Sequence, residues 1–374
     1  MIQATLFGAG YYAVAFFTAI IVIVFVHEFG HFIIGRWCGV KIETFSVGFG
    51  REIFGFNDRY GTRWKFCWIP MGGYVRFLGD ANAASMPTST TEMTPGSLQA
   101  APVWKRAAIV AAGPIANFIL AILIFTAAYN LVGQPINEPR VDEVTADGAA
   151  KSAGIVAGDY IRTIDGNAVH SFMDIQRAMI MQGDTQVTLG VERNKQMLEI
   201  KLEPKVVETV DTFGRKSRVS LIGFKHDPTK DPAGFERLPL FTAFAKGVDE
   251  TAFVAKTTLR YVGKLFMGRE KSDQLHGPIG MAQMAGETAS MGFWPFITFI
   301  ALISVSIGLV NLFPIPMLDG GHLVFYLIEA VFGKPVGPVA QEWSFRIGLS
   351  AMVALMLFAT NNDLSPYINK VFGW

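Results

Sequence analysis

The chain has 374 residues, of which 51% are hydrophobic and only 17% charged, with a formal net charge of +1. Soluble domains carry about 25% charge, so this balance points to a membrane protein with water-exposed portions. Near neutrality excludes the electrostatic footprint of a nucleic-acid binder, and two cysteines, Cys38 and Cys67, exclude a disulfide framework and a CxxC site.

The first predicted element is a transmembrane helix over about residues 11–35, sufficient for a bilayer that needs ~20 residues. Residues 1–10 hold no charged side chain and no convincing cleavage signal, so this span is expected to be retained. Arg36 and Lys41 follow it directly, and the positive-inside rule then places the N-terminus outside and Arg36 in the cytoplasm. Inside the span lies His27-Glu28-Phe29-Gly30-His31, an HExxH motif. Positions i and i+4 share a helix face, so His27 and His31 can grip one metal ion. Glu28 can poise the attacking water as general base. Three ionisable groups this close together are expensive in a membrane span and mark a functional site. At 1.5 Å per residue, His27 lies about 14 Å inside the cytoplasmic end.

Residues 36–106 are polar, with nine Lys/Arg against five Asp/Glu. Two stretches in it, 44–50 and 64–78, read as short strands broken by glycine. Their apolar content suits hairpins or re-entrant loops tucked against the membrane, where protein or a water-filled cavity must surround non-helical backbone. Residues 81–101 read as a flexible linker. A second span follows at about 107–132 and contains Gly113-Pro114-Ile115-Ala116-Asn117. Small residues there permit close helix approach, and Pro114 frees a backbone carbonyl. Asn117 either serves the metal site or makes a plain interhelical hydrogen bond.

From Gln134 to about Met291 the chain is polar, and topology puts it outside the cytoplasm. Strands are expected at 140–144, 160–164, 186–192 and 197–202, a helix at 171–181, and turns at Asp165-Gly166 and Gly183-Asp184. Residues 206–237 read as irregular. Phe241, Phe244, Val248, Ala252, Ala255, Leu259, Val262 and Phe266 then recur at the spacing of an amphipathic helix. Such a helix can lie on the membrane, lid the metal cavity or pack on the β module. A third span at about 293–313 ends in Asn311-Leu312-Phe313-Pro314-Ile315-Pro316-Met317-Leu318-Asp319-Gly320-Gly321-His322, and a fourth follows at about 345–360 after a short loop with Lys334.

Catalytic zinc takes three protein ligands and keeps one position open. The first span supplies two, and no HxxGxxH continuation supplies a third. Asp319, at the cytoplasmic end of the third span and at a matching depth, is the best candidate. A turn role before Gly320-Gly321 competes with that reading, and His322 competes as ligand or orienting neighbour.

The motifs HEFGH at 27–31 and NLFPIPMLDGGH at 311–322 flank a module whose residues 149–166 look like a PDZ domain of the bacterial protease type. Together they resemble the site-2 protease family of intramembrane zinc metalloproteases, over essentially the whole chain. The resemblance implies an α-helical polytopic membrane protein with four transmembrane helices, a cytoplasmic-side β hairpin region and one inserted periplasmic PDZ-like α+β domain, where enterobacterial members carry two. It divides the chain at 1–35, 36–106, 107–133, 134–206, 207–291 and 292–374. It further implies Zn2+ held by His27, His31 and Asp319, Glu28 as base, and Asn311 near the substrate. An edge at Met71-Gly72-Gly73-Tyr74-Val75-Arg76-Phe77 would hold an unwound substrate as an added strand, with Gly72, Gly73, Tyr74 and Val75 contacting it.

The implied setting is the bilayer of a bacterial inner membrane, with both termini and the PDZ-like domain periplasmic. The implied substrate is a single-span membrane protein of the anti-sigma factor type in regulated intramembrane proteolysis, or a remnant signal peptide. Peptide C-termini are expected at the PDZ-like domain, unless that module is a spacer or steric filter. No nucleic acid is expected. Two other classes compete: a PDZ adaptor with a metal site that has lost catalysis, which an intact Glu28 opposes, and a metal-ion transporter, for which Thr298, Ser304 and Ser306 are thin support.

Overall fold

A computed structural model of the chain describes residues 2–80, 94–146, 148–182, 185–210, 216–231, 234–268 and 277–372. Most of the expected linker and the turn at Gly183-Asp184 lie outside the described residues. The chain forms two compact units, 1–128 with 243–258 and 276–365, and 129–242 with 259–275 and 366–374.

The first unit is built on helices. Helix α1 (Ile2–Trp37) carries the HExxH motif, and α2 (Val103–Ala127) continues as a π-helical turn at Ala128–Val132. Four helical stretches are long and apolar enough to cross a membrane among the described residues: Gly10–Trp37, Val103–Val132, Phe293–Asn311 and Pro338–Ser365. The protein is a multi-pass membrane protein. Gly30 lets α1 and α2 touch, because a Cβ there would run into the Ala112 carbonyl and reach 2.8 Å from the Ala116 methyl. Small residues one turn apart bring membrane helices into backbone contact where lipid offers no hydrophobic drive.

Between α1 and α2 lies a hairpin of β1 (Ile42–Asn57) and β2 (Arg63–Phe77), antiparallel. The strands are far longer than the two short ones expected, because glycines inside them bend the ribbon without ending it. Thr44 pairs with both Arg76 and Arg63, and Phe45 with both Val75 and Trp64. The first half of β1 therefore lies between the two halves of β2. Phe45 and Trp64 pack at 4.3 Å between ring centroids, and Trp64 meets Phe32 of α1 at 4.9 Å.

The hairpin turn is tied to the end of α1. Arg36 pairs with Asp58, and its guanidinium lies 4.4 Å from both the Phe32 and Tyr60 rings. Burial alone would raise the Asp58 carboxyl. Hydrogen bonds from Arg36, the Trp64 indole and the backbone N–H groups of Thr62 and Tyr60 outweigh it and hold the group at about 2. A depressed carboxylate stabilises the fold above its unfolded value near 4, and that contribution disappears as pH falls toward 2. Thermal unfolding followed from pH 5 to 2 should therefore show a steeper acid loss in wild type than in Asp58→Asn. Parallel curves would remove Asp58 from this role.

Helices α3 (Ala149–Ser152) and α4 (Phe172–Gln182) belong to the second unit. Its strands are β3 (Gln134–Pro135), β4 (Glu143–Val144), β5 (Tyr160–Ile164), β6 (Asn167–Ala168), β7 (Val187–Arg193), β8 (Gln196–Leu202), β9 (Lys205–Val210), β10 (Lys216–Leu221), β11 (Phe224–Lys225) and β12 (Phe235–Glu236). A four-stranded sheet in the order β6-β5-β7-β8 is covered by α4, whose Ile175 and Met179 join Ile161, Ile164, Val187, Leu189 and Val191 in one core. Asp165 and Gly166 at φ 48° and 79° make the two-residue turn expected between β5 and β6.

Two expectations need correction, and one helix is added to them. Residues 206–237, expected irregular, contain the β9–β10 hairpin, with Lys205 opposite Leu221 and Val210 opposite Lys216. The fourth span is the central part of α9 (Pro338–Phe372), which begins well before residue 345; the Glu342–Arg346 pair, four residues apart, supports the charged first turns. The short loop with Lys334 is present between α8 and α9, and ahead of it the chain forms a helix, α8 (Asp319–Phe332), stopped by Gly333 at φ 71°.

The remaining helices of the chain are α5 (Leu240–Phe266), α6 (Pro278–Ser290) and α7 (Phe293–Asn311). Helix α5 is the amphipathic helix expected. Its middle packs on the end of α2, where a Cβ at Gly247 would come 2.7 Å from Thr126 Oγ1.

Candidate metal centre

Helix periodicity puts the two histidines of α1 on one side, and the fold brings Asp319, the first residue of α8, to meet them. His27 Nε2 and His31 Nε2 lie 3.2 Å apart. Asp319 Oδ2 is 3.1 Å from His27 Nε2, and Oδ1 is 3.5 Å from His31 Nε2. These are the His, Cys and carboxylate groups that converge as a possible metal site among the described residues.

The donors fit zinc. Bonds of about 2.0–2.2 Å in a tetrahedral arrangement place neighbouring donor atoms roughly 3.3 Å apart; the two imidazole nitrogens are 3.2 Å apart, and the Asp319 carboxylate meets them through one oxygen each at 3.1 and 3.5 Å. The protonation pattern agrees. His31 Nδ1 donates to the Ile109 carbonyl at 2.8 Å, so its Nε2 presents a lone pair. His27 Nδ1 faces the side-chain amide of Asn117 at 3.2 Å, and Asn117 Oδ1 is buried without a donor. Turning that amide by half a rotation gives Oδ1 the His27 Nδ1–H and leaves the second Nε2 as a lone pair too. Asp319 Oδ2 is also buried with no hydrogen-bond donor. Three acceptors then face one another, which is stable only around a cation.

Sequence reasoning missed the glycine beneath them. A Cβ on Gly113 would strike His31 Nε2 and come 2.8 Å from His27 Nε2. In the sequence Gly113 reads only as a small residue for helix approach; the signal that singles it out is its position one turn before Asn117, on the face of α2 that meets α1. Helix α7 closes the other side of α2, with Ser304 Oγ donating to the Asn117 carbonyl at 2.9 Å.

Glu28 points toward the hairpin. The Val75 N–H hydrogen-bonds its carboxylate, and a Cβ on Gly73 would sit 3.1 Å from Glu28 Cγ. Val75 pairs with Phe45 on one side, and because its N–H reaches Glu28 instead, the second half of β2 presents its outer edge to Glu28. Gly72 has φ 132°, open to glycine, and Tyr74 stacks on Phe49 at 6.0 Å. Asn311 is the last residue of α7. His322, one turn beyond Asp319, lies outside the three-residue cluster and packs its ring 5.4 Å from Phe345. Gly320 and Gly321 serve approach rather than a turn: a Cβ on either would enter the carbonyls of Leu312, Phe313 or Ile315.

Comparison with known proteins agrees with this arrangement. The model of Peptidase family M50 matches residues 15–355. The chain is 46% identical over 374 residues to a protein of Agrobacterium fabrum named as a candidate zinc metalloprotease, covering 98% of this chain and 99% of that one. It is 44% identical over 360 residues to a protein of Rhizobium meliloti with the same kind of name, covering 94% of each. It is 38% identical over 378 residues to metalloprotease MmpA of Caulobacter vibrioides, covering 92% of this chain and 93% of that one. With a family match over nearly its full length and relatives of the same extent, the chain belongs to Peptidase family M50.

Proposed function

We propose that this zinc metalloprotease is an endopeptidase that cuts a peptide bond inside the membrane, within the transmembrane segment of a single-span substrate. The observation that carries the reading is the meeting of His27, His31 and Asp319 at the level of a helix long and apolar enough to span a bilayer. These three residues would hold zinc, which would supply a Lewis acid able to acidify water toward a pKa of ~7 and polarise a carbonyl. Glu28 takes the proton of the attacking water and passes it to the leaving amine. Asn311 is assigned to the substrate carbonyl.

A helical substrate hides its carbonyls in its own hydrogen bonds, so it must unwind before it can be cut. The outer edge at Gly72, Gly73, Tyr74 and Val75, turned toward Glu28, can hold the unwound stretch as an added strand. By resemblance, the substrate is an anti-sigma factor already trimmed outside the cytoplasm, or a remnant signal peptide, in a bacterial inner membrane. Residues 134–206 are read as a periplasmic PDZ-like module that takes peptide C-termini, and 207–291 as the region linking it to the third span.

The test pairs metal content with cleavage of a reconstituted single-span substrate. Wild type should bind one zinc and cut, whereas His31→Ala and Asp319→Asn should lose most of the zinc and the cleavage. Full zinc occupancy in Asp319→Asn would strike that residue from the ligand set. A zinc-loaded wild type that leaves transmembrane substrates intact would refute the activity.

A further inference from the structure

Asp319 opens a short helix whose start is packed through Gly320 and Gly321 against the preceding loop. Helix α8 has 14 residues, a length at which isolated helices are marginal, and Leu327, Val331 and Phe332 on its far side are 63, 69 and 74% exposed. The loop before it is strained: Met317, two residues ahead of Asp319, has φ 81° without being glycine. Such a conformation persists only when the surroundings over-determine it. A second restraint lies at the other end of α8. Glu329 accepts a bidentate pair from Arg106 on the first turns of α2, Nη2 to Oε1 at 2.6 Å and Nη1 to Oε2 at 3.0 Å. These side chains are only 13 and 16% exposed. Arg106 Nε donates to the Ala101 carbonyl at 3.0 Å, and its guanidinium lies 5.0 Å from the Tyr326 ring.

Asp319, Tyr326 and Glu329 recur at helical spacing, so they share one face of α8. On α2, Arg106 precedes Gly113, which lies beneath the two imidazoles. The helices therefore run antiparallel with two points of attachment about 15 Å apart along α8. A bidentate guanidinium–carboxylate pair fixes direction as well as distance, and a metal ligand must be held to about 0.5 Å.

We propose that Arg106 and Glu329 are positioning residues for the metal centre: their fork, with Tyr326 against it, fixes α8 so that the Asp319 carboxylate meets His27 and His31. This rests on the assignment of Asp319 as third ligand. The experiment is chelator competition for zinc on the full-length protein in nanodiscs, with apo-protein melting in parallel. The variants are Glu329→Gln, Arg106→Lys, the exchanged pair Arg106→Glu with Glu329→Arg, Asp319→Asn, and Glu329→Gln combined with Asp319→Asn.

Glu329→Gln and Arg106→Lys should weaken zinc binding about tenfold or more. The exchanged pair should recover part of the loss, and Glu329→Gln should add little once Asp319→Asn is present. Unchanged affinity in Glu329→Gln, or an equal loss with and without the Asp319 carboxylate, overturns the proposal. If Asp319→Asn itself binds zinc normally, the ligand assignment fails and the positioning role falls with it. If Asp319→Asn weakens binding and Glu329→Gln does not, only the positioning role fails. Should Glu329→Gln fail to insert, Arg106→Lys, which keeps both charges and removes the fork, decides the question.

Discussion

Replacing Glu28 by Gln is expected to lower cleavage by about 10²–10⁴-fold, the range for losing a positioned general base, while leaving zinc stoichiometry at the wild-type value. The amide keeps the shape and an oxygen that can accept the Val75 N–H. It cannot take a proton from water. His27, His31 and Asp319 are untouched, so metal content should not move. The measurement is product formation from a reconstituted single-span substrate, set beside metal analysis of the same preparation. A correctly inserted, zinc-loaded Glu28→Gln protein that still cuts at the wild-type rate would end the role given to this carboxylate.

The second large effect is expected from a single methyl group. Gly113→Ala adds a Cβ that would overlap His31 Nε2 and sit 2.8 Å from His27 Nε2. In the middle of a helix the same substitution normally favours folding by about 1 kcal/mol. The two effects separate in measurement: the zinc-free protein should melt no lower than wild type, while zinc affinity and cleavage collapse together. A protein that melts much lower without metal would mean that α1 and α2 have been pushed apart, and retained zinc would mean that the imidazoles have room to move. Gly30→Ala provides the contrast, because its Cβ would meet the Ala112 backbone rather than the imidazoles, and its loss should appear in the zinc-free melt.

Much of the architecture was legible because it is local. The apolar runs that became Gly10–Trp37, Val103–Val132 and Phe293–Asn311, and the stripe that became α5, are periodicities of single helices and depend on no partner. The turn at Asp165 and Gly166 follows from which residues accept a positive φ. Glycine is the exception, because it does not always break an element. Gly320 and Gly321 suggest a turn, yet they are helical and small because backbone carbonyls of Leu312, Phe313 and Ile315 lie against them. In the same way, glycines bend β1 and β2 without ending them. A glycine reports that space is short or that φ is unusual, and one sequence cannot say which.

By itself the amino-acid order determined that two imidazoles one helical turn apart stand in an apolar span, with a carboxylate on the next position around the helix, since 3.6 residues per turn is enough to say so. Tertiary structure decided what faces them: Asp319 brought in from another helix, the Ile109 carbonyl and Asn117 amide on the far nitrogens, Gly113 beneath, and the edge of β2 against Glu28. These contacts join residues far apart in the chain, and their geometry depends on how closely whole helices can approach.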